Sequence, residues 1–90
     1  MTQTPPPIRL FRRYLIDHRL PVTHQREAIA KVVFSSAGHL SVEEIEITLR
    51  RSGNRIGKAT IYRTLDLLVR SRLVVEHDFG EGFKPVSYTH

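Results

Sequence analysis

The stretch Lys58-Ala-Thr-Ile-Tyr-Arg-Thr-Leu-Asp-Leu-Leu-Val-Arg70 carries the pattern on which the rest of the chain can be organised. Its apolar residues Ile61, Leu65 and Leu68 recur at the spacing of one face of an α-helix. The opposite face carries small, phenolic and charged side chains, namely Ala59, Tyr62, Arg63, Asp66 and Arg70. The stretch therefore predicts an amphipathic helix with one buried face.

The polar face of this helix has two interpretations. Small residues allow close approach to a DNA major groove, arginine can bond guanine bidentately, and an aromatic ring can contact a thymine methyl group. A surface helix with a solvated polar face shows the same pattern. The flanking sequence is needed to choose between them.

The segment Leu40-Ser-Val-Glu-Glu-Ile45 predicts where the preceding helix begins. Ser41 and Glu44 form a capping box, in which each side chain bonds a free backbone N–H of the first turn, and Leu40 and Ile45 have the spacing of a hydrophobic staple. The helix is expected to start at Val42. Its inward residues are predicted to be Val42, Ile45 and Leu49.

A short turn joins this helix to the Lys58 helix. Gly53 suits the helix C-terminus, where a left-handed residue is preferred. Residues 54–57 then lead into Lys58. Two helices joined by a tight turn, the second exposing polar side chains at its start, predict a helix-turn-helix.

Two further helices are predicted upstream of the helix-turn-helix. The first starts at Ile8 after three prolines, and the second covers residues 24–35, with Thr23 as its N-cap. Their apolar positions recur at helical spacing: Leu10, Phe11, Tyr14 and Leu15 in the first helix, and Ala28, Ile29, Val32 and Val33 in the second. Residues 1–7 are expected to form a flexible arm.

The first helix is rich in arginine. Arg9, Arg12 and Arg13 surround its apolar face, next to the arm. They either solubilise the helix or contact phosphates or the minor groove of DNA, and we favour the DNA contact because of the neighbouring arm.

The periodicity changes after Arg70. Residues 73–79 are β-prone, Gly80-Glu81-Gly82 predicts a turn, and residues 83–88 can return as a second strand in which Pro85 indicates an edge. Lys84 can lie along a phosphate backbone or be solvated. The predicted fold class is mainly α with a small β-hairpin: a winged helix-turn-helix of about four helices and a two-stranded wing.

Composition limits the classes of function. The chain has 90 residues, a net charge of +5 and no cysteine, and its sequence pI is about 10.2. One small basic domain favours an anionic partner such as DNA. Without cysteine the chain has no disulfide, no cysteine zinc site and no cysteine nucleophile. No membrane-spanning run or signal peptide is visible, so we expect a cytoplasmic protein with no membrane partner.

An enzyme is not expected. The sequence has no Gly-rich phosphate loop after a strand and no nucleophile beside a base, and Glu44 of the Glu43–Glu44 pair is used by the helix cap. A small-molecule substrate is therefore not expected. The alternative to DNA binding is a winged helix that serves as a protein–protein docking module. A docking face should be apolar, whereas the exposed face here carries Tyr62, Arg63 and Arg70, which favours DNA.

Several segments resemble the ferric uptake regulator (Fur) family. They are Gly-His-Leu-Ser-Val-Glu-Glu at residues 38–44, Lys-Ala-Thr-Ile-Tyr-Arg-Thr-Leu at residues 58–65, and residues 73–82 with Asp-Phe-Gly-Glu-Gly at their end. Leu-Pro-Val-Thr-His-Gln-Arg at residues 20–26 is similar to the Val-Thr-x-x-Arg entry of the family's second helix. The resemblance covers residues 11–84 and only the N-terminal DNA-binding domain of that family.

The resemblance implies a DNA-binding role. Members of the family bind A·T-rich inverted repeats as homodimers and usually act as metal-dependent repressors. By this resemblance Tyr62 contacts thymine methyl groups, Arg63 bonds a base edge or a phosphate, and Thr60 contacts phosphate or base. Lys58 stands where the family often has leucine and adds positive charge beside the groove.

A basic residue near the N-terminus enters the minor groove in the family, and Arg12, Arg13 and Arg19 are the candidates here. The full set of expected DNA contacts is Lys58, Ala59, Thr60, Tyr62, Arg63, Arg70, Arg12, Arg13, Arg19 and Lys84.

The resemblance also makes His39 a candidate ligand of a regulatory metal, although a histidine before a helix is more often structural or solvated. The family's paired zinc cysteines are absent. Residues 85–90 depart from the family pattern, and are expected to be a divergent or truncated tail after a DNA-binding domain at residues 8–84. We expect no cofactor in these 90 residues. Zinc, iron(II) or manganese is expected only in a full-length protein with a C-terminal dimerisation domain.

Overall fold

The computed structural model describes residues 6–36, 38–77 and 82–86. Four helices precede a β-hairpin: α1 (Pro7–Asp17), α2 (His24–Phe34), α3 (Val42–Arg51), α4 (Lys58–Arg70), β1 (Val74–His77) and β2 (Gly82–Pro85). This order is the predicted winged helix-turn-helix. The predictions for residues 1–5, 78–81 and 87–90 lie outside the described residues.

The helix starts follow local chemistry. The Thr23 hydroxyl accepts a hydrogen bond from the backbone N–H of Arg26, and Ser41 and Glu44 make both bonds of the predicted capping box. α1 begins at Pro7, one residue before the predicted Ile8. Proline is accommodated at the first helical position because the N–H that it lacks would have no helical partner there.

Three helices end in the same hydrogen-bonded motif. After α3, Gly53 has φ +84°, its N–H bonds the carbonyl of Arg50, and the next N–H bonds the carbonyl of Leu49. This is a Schellman motif, and it confirms the predicted role of Gly53. Arg19 after α1 and Arg72 after α4 occupy the same left-handed position, at φ 57° and 66°.

The core collects apolar side chains from every helix and both strands. The predicted inner face of α4, formed by Ile61, Leu65 and Leu68, is completely or almost completely buried. The other buried apolar residues are Phe11, Leu15, Ile29, Ala30, Val33, Val42, Ile45, Leu49, Ile56, Leu73, Val74 and Phe83. Ala28 and Val32 of α2, which the helical spacing predicts as inward, pack at the margin of the core, and Ala30 is fully buried instead.

The wing is an antiparallel pair in which Val75 faces Lys84 and Glu76 faces Phe83. Its strands are shorter than predicted: Leu73 and Val86 lie outside them, although the N–H of Val86 bonds the carbonyl of Leu73 at 3.0 Å. Pro85 ends β2, which agrees with the expected edge position. Leu40 adds an isolated bridge to Phe83, with two N–H···O bonds of 2.9 Å. The wing is thereby joined to the residues that precede α3.

Candidate nucleic-acid interface

The outer face of α4 presents the predicted DNA contacts to solvent. Tyr62 is 53% exposed although it is an aromatic residue next to the fully buried Ile61. Lys58, Ala59 and Arg63 are also exposed, and Thr60 is half-buried. Because the opposite face is anchored in the core, these side chains are held on a rigid element. The helix therefore offers an apolar ring, a small residue and cationic groups along one accessible side.

The start of α4 is electropositive. Its N-cap is Gly57, which makes no side-chain cap, and the first turn contains no acidic residue. Lys58 is the first residue of the helix, so its positive charge adds to the positive end of the helix dipole. Its Nζ lies 3.8 Å from a carboxylate oxygen of Glu43 on α3, and both side chains are at least half exposed. This ion pair is weak and screened, so Lys58 stays available to an anion.

Two arginines of α4 differ in their surroundings. Arg70 Nε lies 3.1 Å from Asp66 Oδ2 in an i,i+4 ion pair, as the sequence spacing allowed. Arg63 has no ion pair within the described residues. Of these two arginines on α4, Arg63 is thus the one whose guanidinium is not already matched to a carboxylate.

Two of the three arginines predicted to contact DNA near the N-terminus are paired with carboxylates of the protein itself. Arg12 Nε and Nη2 both donate to the carboxylate of Glu27 on α2, and the Nη2–Oε1 distance is 3.1 Å. The hydrogen bond raises the pKa of Arg12 and lowers the pKa of Glu27. Arg13 lies 3.6 Å from Asp17 on its own helix. Arg19 is exposed in its left-handed position.

The remaining predicted residues lie on and beside the wing. Lys84 is exposed on β2, opposite Val75, which is 43% exposed. His39 is exposed in the loop before α3. Its Cβ lies close to Gly82: a Cβ added to Gly82 would be 2.9 Å from the Cβ of His39. Among the described residues no group of three or more His, Cys, Asp or Glu side chains could hold a metal ion. His39 is accordingly not part of a complete metal site in this region.

Two arginines outside the predicted set flank the start of α4. Arg50, near the end of α3, and Arg55, in the turn, line a concave surface together with Gly57. Neither belongs to α4, so the periodicity of α4 does not indicate them. The signal that points to Arg55 is its place in the turn of a helix-turn-helix.

In the parts of the chain that the structure describes, no helix has the length and apolarity that a membrane crossing requires.

Comparison with known proteins identifies relatives. The sequence model of the ferric uptake regulator family matches residues 17–89. The ferric uptake regulation protein of Bacillus subtilis is 39% identical over 72 residues, covering 79% of this chain and 48% of that protein. The zinc uptake regulation protein of Mycobacterium tuberculosis is 39% identical over 62 residues, covering 67% of this chain and 48% of that protein.

Solved structures of ferric uptake regulators also resemble this chain. The Vibrio cholerae ferric uptake regulator, described as having DNA-binding domains, superposes with a TM-score of 0.68 at 31% identity, covering 87% of this chain and 63% of that one. The manganese-containing regulator from Pseudomonas aeruginosa superposes with a TM-score of 0.69 at 32% identity, covering 86% of this chain and 60% of that one. The chain spans about half the length of the curated relatives that it matches. On the family match and these similarities, the chain belongs to the ferric uptake regulator family.

Proposed function

We propose that this chain binds double-stranded DNA through α4 in the major groove, as the DNA-binding part of a metal-responsive repressor of A·T-rich inverted repeats. The observation that carries the proposal is the exposed Tyr62–Arg63 pair on a helix whose other face is buried in the core. Tyr62 has the apolar surface to contact a thymine methyl group, and Arg63 has a guanidinium that can bond a base edge.

The charge distribution supports an anionic partner. The chain has a net charge of +5, and the exposed cations Lys58, Arg63 and Lys84 lie on α4 and on β2, the two parts of a winged helix that approach DNA. A helix in the groove and a wing beside it bring such cations close to phosphates, where each neutralised phosphate releases counterions and adds affinity. Arg12 contributes less directly, because its guanidinium is bonded to Glu27.

The metal response is proposed from the relatives, which are named as iron and zinc uptake regulators. In this chain His39 would supply one metal ligand, and the other ligands and the dimer contacts would have to come from elsewhere in a full-length protein. Zinc needs about four ligands. We therefore expect the 90-residue chain to bind zinc more weakly than micromolar in isothermal titration calorimetry. A submicromolar affinity that is lost in His39→Ala would contradict this expectation.

The test of DNA binding compares an A·T-rich inverted-repeat duplex with a scrambled duplex of the same composition. Fluorescence anisotropy at several salt concentrations gives the affinity for each duplex and the dependence of log affinity on log salt. Tighter binding to the repeat supports the proposed function. Equal binding to both duplexes rejects sequence-specific recognition, and the absence of binding at low salt favours the protein-docking alternative.

A further inference from the structure

A concave surface of about 500 Å³ lies beside the turn between α3 and α4. It is lined by Glu46 and Arg50 of α3, by Asn54, Arg55 and Ile56 of the turn, and by Gly57. Ile56 is buried and Gly57 has no side chain, and the other four residues carry charged or polar side chains. A small polar group fits within this concavity and leaves room for solvent.

The charge of this concave surface is positive. Arg50 Nη2 lies 3.8 Å from a carboxylate oxygen of Glu46 in a surface i,i+4 pair, which is weak and leaves the Arg50 guanidinium available to an anion. Arg55 is exposed and has no ion pair within residues 6–36, 38–77 and 82–86. The residues that line the concavity therefore carry two guanidinium groups and one carboxylate. A guanidinium fork matches a phosphate group in both charge and geometry.

The turn that carries Arg55 is held on both sides. The side-chain oxygen of Asn54 lies 3.3 Å from His24 Nε2 at the start of α2, and the backbone N–H of Asn54 bonds the carbonyl of Leu49 at 2.9 Å. Arg55 follows directly and precedes the buried Ile56. Its backbone position is thus fixed relative to α2 and α3, which reduces the ordering required when its side chain binds a ligand.

In the proposed binding mode, the location of the turn places it near the DNA backbone. When a recognition helix enters the major groove with its first residues at the base edges, the first helix of the motif crosses the DNA backbone. The end of α3 and the turn before Lys58 then lie at the edge of the groove, where the phosphates are. Arg55 is three residues before Lys58, so the two cations border the same end of α4.

We infer that this concave surface is a binding site for one phosphate group of the DNA backbone. Arg55 makes the direct ionic contact, and Arg50 and Asn54 complete the site. The inference rests on the proposed DNA-binding function and adds a contact that positions α4 without reading a base. Glu46 lowers the positive charge of the site and so limits its affinity for phosphate.

The test uses the 90-residue chain and the two duplexes described above. Arg55→Ala is expected to weaken binding to both duplexes alike and to reduce the slope of log affinity against log salt by about 0.9, the value for one phosphate contact. Arg51→Ala removes the same charge from the exposed end of α3 without touching the concavity and is expected to leave the slope unchanged. Glu46→Gln should tighten binding to both duplexes.

Neutral methylphosphonates, placed one at a time along the repeat, locate the contact. At one position in each half-site the neutral group should lower the slope for the wild type and have no further effect on Arg55→Ala. Specific binding by the wild type with an unchanged slope in Arg55→Ala overturns the phosphate site but leaves the proposed function intact. Equal losses in Arg55→Ala and Arg51→Ala also overturn the site. A wild type without preference between duplexes contradicts the proposed function, while a lower slope in Arg55→Ala alone still supports the phosphate site.

Discussion

Arg63 follows Tyr62 on the exposed face of α4 and has no ion-pair partner among the residues that the structure describes. Arg70 lies on the same helix but is paired with Asp66. The two arginines have the same charge and differ in whether a carboxylate already occupies the guanidinium. Periodicity alone placed both on the polar face and did not distinguish them.

Arg63→Ala is expected to reduce the preference for the inverted repeat over the scrambled duplex by about 1–3 kcal/mol, because a bidentate bond to a base edge is lost. Competition anisotropy with the two duplexes measures this preference. Arg70→Ala is the matched control and should leave the preference unchanged. If both substitutions weaken the two duplexes equally, Arg63 does not read a base.

Arg12 and Glu27 show how one partner changes the role expected of a residue. Arg12 is 15 positions from Glu27, so no local pattern reveals their bidentate contact. The hydrogen bond from Arg12 is the main cause of the lowered pKa of Glu27, and burial acts in the opposite direction. The ionised carboxylate therefore stabilises the packing of α1 on α2.

Glu27→Gln is expected to lower the unfolding temperature at pH 7, with a difference that disappears in acid. Because the folded-state pKa lies below the ordinary value near 4.5, the stabilisation is fully present above that value. It is lost as the pH falls through the lowered pKa. Thermal unfolding followed by circular dichroism from pH 7 to pH 3 measures the effect. Arg12→Ala should reproduce the pH dependence of Glu27→Gln, and a constant difference at all pH values would contradict the assignment.

At the scale of elements, the helix ends show what residue type can and cannot predict. The capping box of α3 and Gly53 at its end were recognisable because serine, glutamate and glycine have strong positional preferences. The left-handed positions after α1 and α4 were not recognisable because arginine occupies them. Arg19 and Arg72 adopt this conformation since the next residues, Leu20 and Leu73, must turn back toward the core.

Arg72→Gly is expected to raise the free energy of unfolding by up to about 1 kcal/mol. Glycine removes the steric penalty of the left-handed conformation, and part of the gain is offset by the larger freedom of glycine in the unfolded chain. Urea unfolding measures the change. Gly53→Ala is the opposite substitution at the equivalent position of α3 and should destabilise the domain. A destabilised Arg72→Gly would indicate that the Arg72 side chain makes a contribution greater than the backbone penalty.

At the scale of the whole molecule, the wing is attached to the helices at several points. Leu40 bridges to Phe83, and Gly82 lies against His39, so the loop before α3 and the start of β2 are in close contact. The wing therefore does not depend on its own two short strands for its orientation. This attachment holds Lys84 at a defined place relative to α4.

Gly82→Ala is expected to destabilise the domain by roughly 1–3 kcal/mol, because its new Cβ would lie 2.9 Å from the Cβ of His39 and the backbone must shift. Denaturant unfolding measures the loss. Gly38→Ala is the control, since nothing lies within 4 Å of a Cβ at that position. Equal free energies of unfolding for the two variants would show that the loop before α3 can move to accommodate the new Cβ without destabilising the domain.

Sequence by itself was sufficient for the winged helix-turn-helix, the buried face of α4 and the capping box of α3. The individual helices, turns and strands depend on residues within about two turns of one another, where spacing and side-chain chemistry specify the conformation. Tertiary structure decided that Arg12 bonds Glu27, that Leu40 joins the wing, and that Arg50 and Arg55 line one concave surface. Arg12–Glu27 and Leu40–Phe83 join residues far apart in the chain, and the concave surface depends on how α3 and the turn are packed. A local sequence pattern predicts neither the contacts between distant residues nor a surface that forms when elements pack together.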